Sequence, residues 1–106
     1  MATSLNNLAE LYRTQGQYAK AEPLVQRALA IYEKALGPEH PDVAISLNNL
    51  AELYRAQGQY AKSEPLYQRA LGIAEKALGP EHPNVATLRK NYAALVRAAG
   101  QPRRTR

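Results

Sequence analysis

The chain has 106 residues, a formal charge of +5 and no cysteine. That length suffices for one domain, and without thiols there is no disulfide framework, thiolate metal site or cysteine nucleophile. No apolar run approaches the roughly 18 residues of a membrane span, and Met1-Ala2-Thr3-Ser4-Leu5 lacks the basic and apolar regions of a signal peptide, so a soluble, cytoplasmic chain is expected.

Leu5, Leu8, Ala9, Leu11 and Tyr12 recur at three- and four-residue steps, which predicts a first helix with Ser4 or Thr3 as its cap and Gly16 as its stop. Tyr18 to Leu36 predicts a second, with Tyr18, Ala21, Val25, Ala28, Tyr32 and Ala35 on one stripe. Pro23 lies inside that span, beyond the first turn where proline is free, and forfeits one backbone hydrogen bond. The stripe predicts a helix that runs through it and bends; the alternative is a helix that begins near Glu22. In Leu36-Gly37-Pro38-Glu39-His40-Pro41-Asp42 a stop precedes a start, since Gly37 closes one helix and Pro41 fits the first position of the next. The same reasoning predicts a third helix at about Pro41–Gln57, a fourth at Tyr60–Leu78 and a fifth at about Pro83–Ala99.

The elements repeat. Residues 4–45 and 46–87 align at an offset of 42, and only seven of those 42 positions differ. A partial third copy follows, in which Asn91, Ala93, Leu95, Arg97 and Gly100 answer Asn49, Ala51, Leu53, Arg55 and Gly58. Such a period implies an all-α architecture, a right-handed α-solenoid of antiparallel helix pairs. Its domain is expected over 1–100, with a capping helix at about 83–99 and a basic, disordered tail at 101–106. Two exchanges between copies are informative. Val25 and Tyr32 become Tyr67 and Ala74, which moves the aromatic two turns along one stripe at nearly constant volume. In the fifth helix Arg89 stands where Leu5 and Leu47 stood, as expected of a terminal helix with one side in water.

Leu8-Ala9, Tyr12, Gly16, Tyr18, Ala21, Val25 and Ala28 fall at the spacing of small and large residues that marks the tetratricopeptide repeat, and Leu50-Ala51, Tyr54, Gly58, Tyr60, Ser63, Tyr67 and Ala70 do so again. The chain therefore resembles that family over residues 4–100. Its longer unit, with Leu-Asn-Asn-Leu-Ala, Ala-Glu-Pro-Leu and Leu-Gly-Pro-Glu-His-Pro, is similar to the kinesin light chain type and to tandem arrays of bacterial tetratricopeptide proteins. The resemblance is specific for fold and much less so for function, because these repeats serve as peptide grooves, scaffolds and self-assembly units.

In the family, the first helix of each repeat lines the concave side. Off the apolar stripe on those helices lie Asn6, Asn7, Glu10 and Arg13, then Asn48, Asn49, Glu52 and Arg55, then Lys90, Asn91 and Arg97. A row of amides and guanidiniums can hydrogen-bond an extended peptide and pair with its acidic side chains, and the resemblance implies such a groove for an acidic protein segment. The bland reading is a solvated face, with Glu10 and Arg13 paired at i, i+3. Asparagine is a poor interior helix residue, so its doubled occurrence favours the groove. The chaperone-tail clamp of some relatives is not expected, because of its set only Asn49 matches; Glu10, Thr87 and Asn91 stand at its other positions.

Self-association is the second reading. The first helix has no predecessor, which leaves Met1, Leu8 and Leu11 without the surface a previous repeat would give, and near-identical repeats invite head-to-tail contact or exchange of helix pairs between copies. His40 and His82 occupy equivalent loops 42 residues apart and read as loop or cap residues rather than metal ligands. No catalytic constellation or phosphate loop is present, and most of the seven tyrosines fall on the core stripe rather than on a stacking platform. No enzyme activity, cofactor, metal, specific nucleic acid or membrane partner is expected.

Overall fold

The computed structural model describes residues 2–100. Five helices follow one another: α1 Ala2–Thr14, α2 Tyr18–Leu36, α3 Pro41–Ala56, α4 Tyr60–Leu78 and α5 Pro83–Gly100. Each packs on its neighbours in the chain, α1 on α2 through to α4 on α5, in a body of 49 × 33 × 19 Å. The described residues thus form an all-α helical repeat stack. The tail at 101–106 and Met1 lie outside them.

Local chemistry explains the boundaries. Gly37 and Gly79 sit at φ +96° and +89°, a region that other residues enter at a cost, and their N–H groups donate to Glu33 and Glu75 carbonyls at 3.1 Å. Pro41 then occupies the first turn of α3, while the Nδ1 of His40 accepts from the Asp42 N–H at 3.1 Å. His82 does the same for Asn84 at 3.0 Å. Both histidines are helix caps. Ser4 and Thr3 are not, because α1 already begins at Ala2 and both lie within its first turn. Helix α2 starts at Tyr18 and passes through Pro23, so a start near Glu22 does not occur. Pro23 and Ala19 are both exposed, so water can solvate the Ala19 carbonyl that lacks a donor four residues on.

Small residues set the spacing between helices. Ala9, Ala21 and Ala28, and again Ala51, Ser63 and Ala70, are buried between the helices, where a short side chain permits close packing. Ser63 replaces Ala21 without stranding its hydroxyl, which donates to the Ala51 carbonyl of α3 at 2.7 Å. Between them lie Val25, Leu50, Leu53 and Tyr54 on one side, and Val43, Leu47, Ile73, Val85 and Leu88 on the other. Tyr32, expected on the stripe, packs half-buried against the second of these groups. The tyrosines are less deeply placed than the stripe suggested: Tyr67 and Tyr54 are buried, while Tyr12, Tyr18, Tyr60 and Tyr92 are half-buried. Arg89 turns back along the surface to Glu75 at 2.9 Å.

One network is carried between repeats by a displaced residue. In the first, the Tyr54 hydroxyl donates to Glu22 at 3.0 Å and lies 3.5 Å from Gln26. In the second, Glu64 and Gln68 stand at the equivalent positions but Val96 has replaced the tyrosine. Tyr92, one helical turn earlier, takes over: its hydroxyl donates to Glu64 at 3.3 Å and accepts from Gln68 at 2.8 Å.

Candidate functional site

The odd-numbered helices α1, α3 and α5 share one face, and their side chains meet across it. Asn6 Nδ2 donates to the buried Ser46 Oγ at 3.4 Å, joining α1 to α3. Asn91 Nδ2 donates to Asn48 Oδ1 at 3.1 Å, joining α3 to α5. The doubled asparagines therefore differ in part from a solvated surface, since Asn6, Asn48, Asn49 and Asn91 are half-buried whereas Asn7 is exposed.

Two recesses open between these helices. The first, about 10 Å³, lies between α1 and α3 and is lined by Asn6, Glu10, Arg13 and Asn49 over a floor of Val25. The second, about 120 Å³, lies between α3 and α5 and is lined by Ile45, Asn48, Asn84, Thr87 and Leu88. Four of the expected groove residues thus come together in the first recess and Asn48 joins the second. Ala9, Val25 and Leu53 in the first recess, and Ile45, Asn84, Thr87 and Leu88 in the second, were not expected at this face. The apolar members gave no polar signal, and Asn84 and Thr87 lie in the first turns of α5, ahead of the stretch that answers the asparagine pairs.

The acidic and basic members pair within their own helices. Glu10 accepts from Arg13 through both carboxylate oxygens. Glu52 accepts from Arg55 Nη2 at 2.6 Å through one oxygen and from the Tyr67 hydroxyl at 2.5 Å through the other. These hydrogen bonds raise both arginines above their ordinary pKa. Burial first, and then the bond to Glu52, push the Tyr67 phenol well above its ordinary 10.0. The intrahelical pairing expected of a solvated face is present, and it neutralises Arg13 and Arg55. On α5 the position equivalent to Glu10 and Glu52 is Ala94, so Arg97 has no acidic neighbour of that kind. Lys90 and Arg97 are exposed. The positive charge of this face is concentrated at its α5 end.

The tetratricopeptide repeat model matches residues 1–76 and again 42–104. The chain belongs to the tetratricopeptide repeat family. A Podosopora anserina protein of kinesin light chain type, with nearly identical TPR-like repeats, superposes at a TM-score of 0.83 and 33% identity, over 93% of this chain and 47% of that one. A single-site variant of it gives the same values. BtubC (BKLC) from P. vanneervenii superposes at 0.86 and 26% identity, over 94% of this chain and 39% of that one. This chain thus spans less than half the length of either, and its repeats are of the kinesin light chain-like type. No curated protein sequence matches it. Tetratricopeptide repeats generally mediate protein–protein interaction or scaffolding and are typically not enzymes. Among the described residues, no helix is long and apolar enough to cross a membrane.

Leu8 and Leu11, the described members of the expected self-association surface, are 41% and 52% exposed. Their counterparts on α3, Leu50 and Leu53, are 5% and 1% exposed because α1 and α2 cover them. Met1 lies outside the described residues.

Proposed function

We propose that the face shared by α1, α3 and α5 binds an extended, acid-bearing peptide or protein segment. The observation that carries this reading is the row of half-buried asparagine amides across three helices, which ends in exposed Lys90 and Arg97 on α5. Amides serve a peptide backbone, which offers alternating donors and acceptors, and unpaired cations serve carboxylates. The acid is assigned to the α5 end, because Glu10 and Glu52 already occupy Arg13 and Arg55. Titration with a pool of random acidic nonapeptides tests it. Lys90→Glu with Arg97→Glu, both at exposed positions, leaves the fold intact, weakens binding at least tenfold and removes most of its salt dependence. Unchanged affinity, or no binding of the pool by the parent, overturns the reading.

A second reading rests on Leu8 and Leu11: the chain assembles with its own copies through the uncovered side of α1. Sedimentation over a wide concentration range decides it. Association that Leu8→Lys with Leu11→Lys abolishes supports assembly, and a monomer at the highest concentration rejects it.

A further inference from the structure

The two repeats carry the same recess in two states. Forty-two residues on from Asn6, Glu10, Arg13, Val25 and Asn49 stand Asn48, Glu52, Arg55, Tyr67 and Asn91. In the second repeat Tyr67 rises from the floor, and its hydroxyl donates to Glu52 at 2.5 Å. Asn91 satisfies Asn48 Oδ1 at 3.1 Å. In the first repeat the floor is Val25, which stops short of the carboxylate. A recess of about 10 Å³ remains over it, close to the room one hydroxyl or one water requires. Arg13 closes onto both oxygens of Glu10, whereas Arg55 holds only one oxygen of Glu52. Asn6 Oδ1 is buried with no hydrogen-bond partner among the described residues, although its Asn48 counterpart has one.

We propose that the recess between α1 and α3 is a subsite for a hydroxyl-bearing side chain of the segment that the groove binds. The proposal rests on the groove reading above and adds to it a chemical class at a defined place. The recess presents the Glu10 carboxylate, which only accepts, so a ligand that meets it must donate. A carboxylate is repelled by Glu10, and an ammonium meets Arg13 beside it. A neutral hydroxyl meets neither objection, and it repeats from outside the bond that Tyr67 makes from within. On entry it takes one oxygen of Glu10 and leaves Arg13 on the other, the arrangement Glu52 already shows.

The test scans one position through acidic nonapeptides in matched pairs, Tyr against Phe and Thr against Val, by fluorescence titration of the full chain. At one scanned position the hydroxyl member binds about tenfold tighter than its partner, the effect of one hydrogen bond to a charged acceptor. Val25→Tyr with Tyr32→Ala recreates the second repeat's pattern. It keeps affinity for the acidic peptides but loses the preference, because its own phenol now occupies Glu10. Glu10→Ala, on the exposed side of α1, loses the preference without any change to the core, so the test stands if the double variant does not fold. Peptides that bind without regard to the hydroxyl, or a preference that survives Glu10→Ala, overturn the subsite and leave the groove. Failure of every peptide to bind removes the groove and the subsite together.

Discussion

Replacing Tyr67 by phenylalanine separates a ring from its hydroxyl at the centre of the second repeat. The ring keeps its place, because Tyr67 is fully buried beside Ala51 and Leu95 with Tyr92 at 6.3 Å, and Phe fills the same space. What is lost is the 2.5 Å bond to Glu52. A hydrogen bond to a charged group contributes about 1.5–3 kcal/mol. Here the lower figure applies, because Glu52 retains Arg55 and keeps 18% of its side chain in water, so its carboxylate is not stranded. A loss of about 1.5 kcal/mol lowers Tm by about 6–12 °C in a domain of this size. The substitution also has a pH signature. The folded state holds the phenol protonated above its ordinary 10.0, so its contribution is fully present below that value. It is lost as pH rises through the higher folded value, because the unfolded chain releases the proton first. Parent and variant are melted by circular dichroism at neutral pH and in alkaline buffers. The parent's advantage is constant up to about pH 10 and shrinks beyond it. A variant that melts with the parent at neutral pH, or a gap that does not close in alkali, shows that the bond contributes nothing.

Gly72 lies inside α4, is exposed, and has nothing within 4 Å of where a Cβ would stand. Gly72→Ala therefore stabilises the chain by about 0.5–1 kcal/mol, read as a higher midpoint in urea with an unchanged slope. Leu8→Lys with Leu11→Lys leaves the monomer's melting temperature within error, since both positions are exposed and neither belongs to a core cluster; a clear fall would show that they support the fold rather than an interface. The Lys90 and Arg97 reversals are checked at two salt concentrations, where only the parent's affinity for acidic peptides falls steeply.

Most of the fold was legible in the residues because the period was. Helices α2 and α4 begin and end where Tyr18, Tyr60, Leu36 and Leu78 placed them, and Gly37, Pro41 and His40 act as a stop, a first-turn residue and a cap. The start of α1 was not legible, because Ala2, Thr3 and Ser4 are compatible with either a cap or a helical turn. The site was less legible than the fold. Spacing assigned the asparagines and arginines to one face and raised the Glu10–Arg13 pair as the bland alternative, but it did not decide between a groove and a solvated face. The structure pairs Arg13 and Arg55 within their own helices and leaves Arg97 without such a partner on α5. That difference follows from a single position, Ala94 in the register of Glu10 and Glu52, which an apolar stripe does not single out. The transfer of the Glu64 and Gln68 partnership to Tyr92 escaped the sequence for a similar reason. Strict register pointed to Val96, and only a three-dimensional arrangement shows that a phenol one turn earlier reaches the same two groups.

The substitutions that separate the copies also give the face a direction. With identical repeats, a bound segment could slide by one unit at no change in free energy, because every contact would recur. Val25 against Tyr67 ends that equivalence at the carboxylates: Tyr67 already supplies a donor to Glu52, and among the described residues nothing supplies one to Glu10 except Arg13. Ala94 and Lys90 end it at the charges, since a carboxylate that would meet a neutral ion pair at α1 or α3 meets cations at α5 that have no ion-pair partner among the described residues. Under the proposed reading, a segment with a hydroxyl toward α1 and an acid toward α5 has one register and one polarity in which both are met. Shifting it by a repeat sets the hydroxyl against a site Tyr67 has filled, and reversing it sets the acid beside Glu10. Specificity on this surface therefore comes as much from what the second repeat excludes as from what the first accepts.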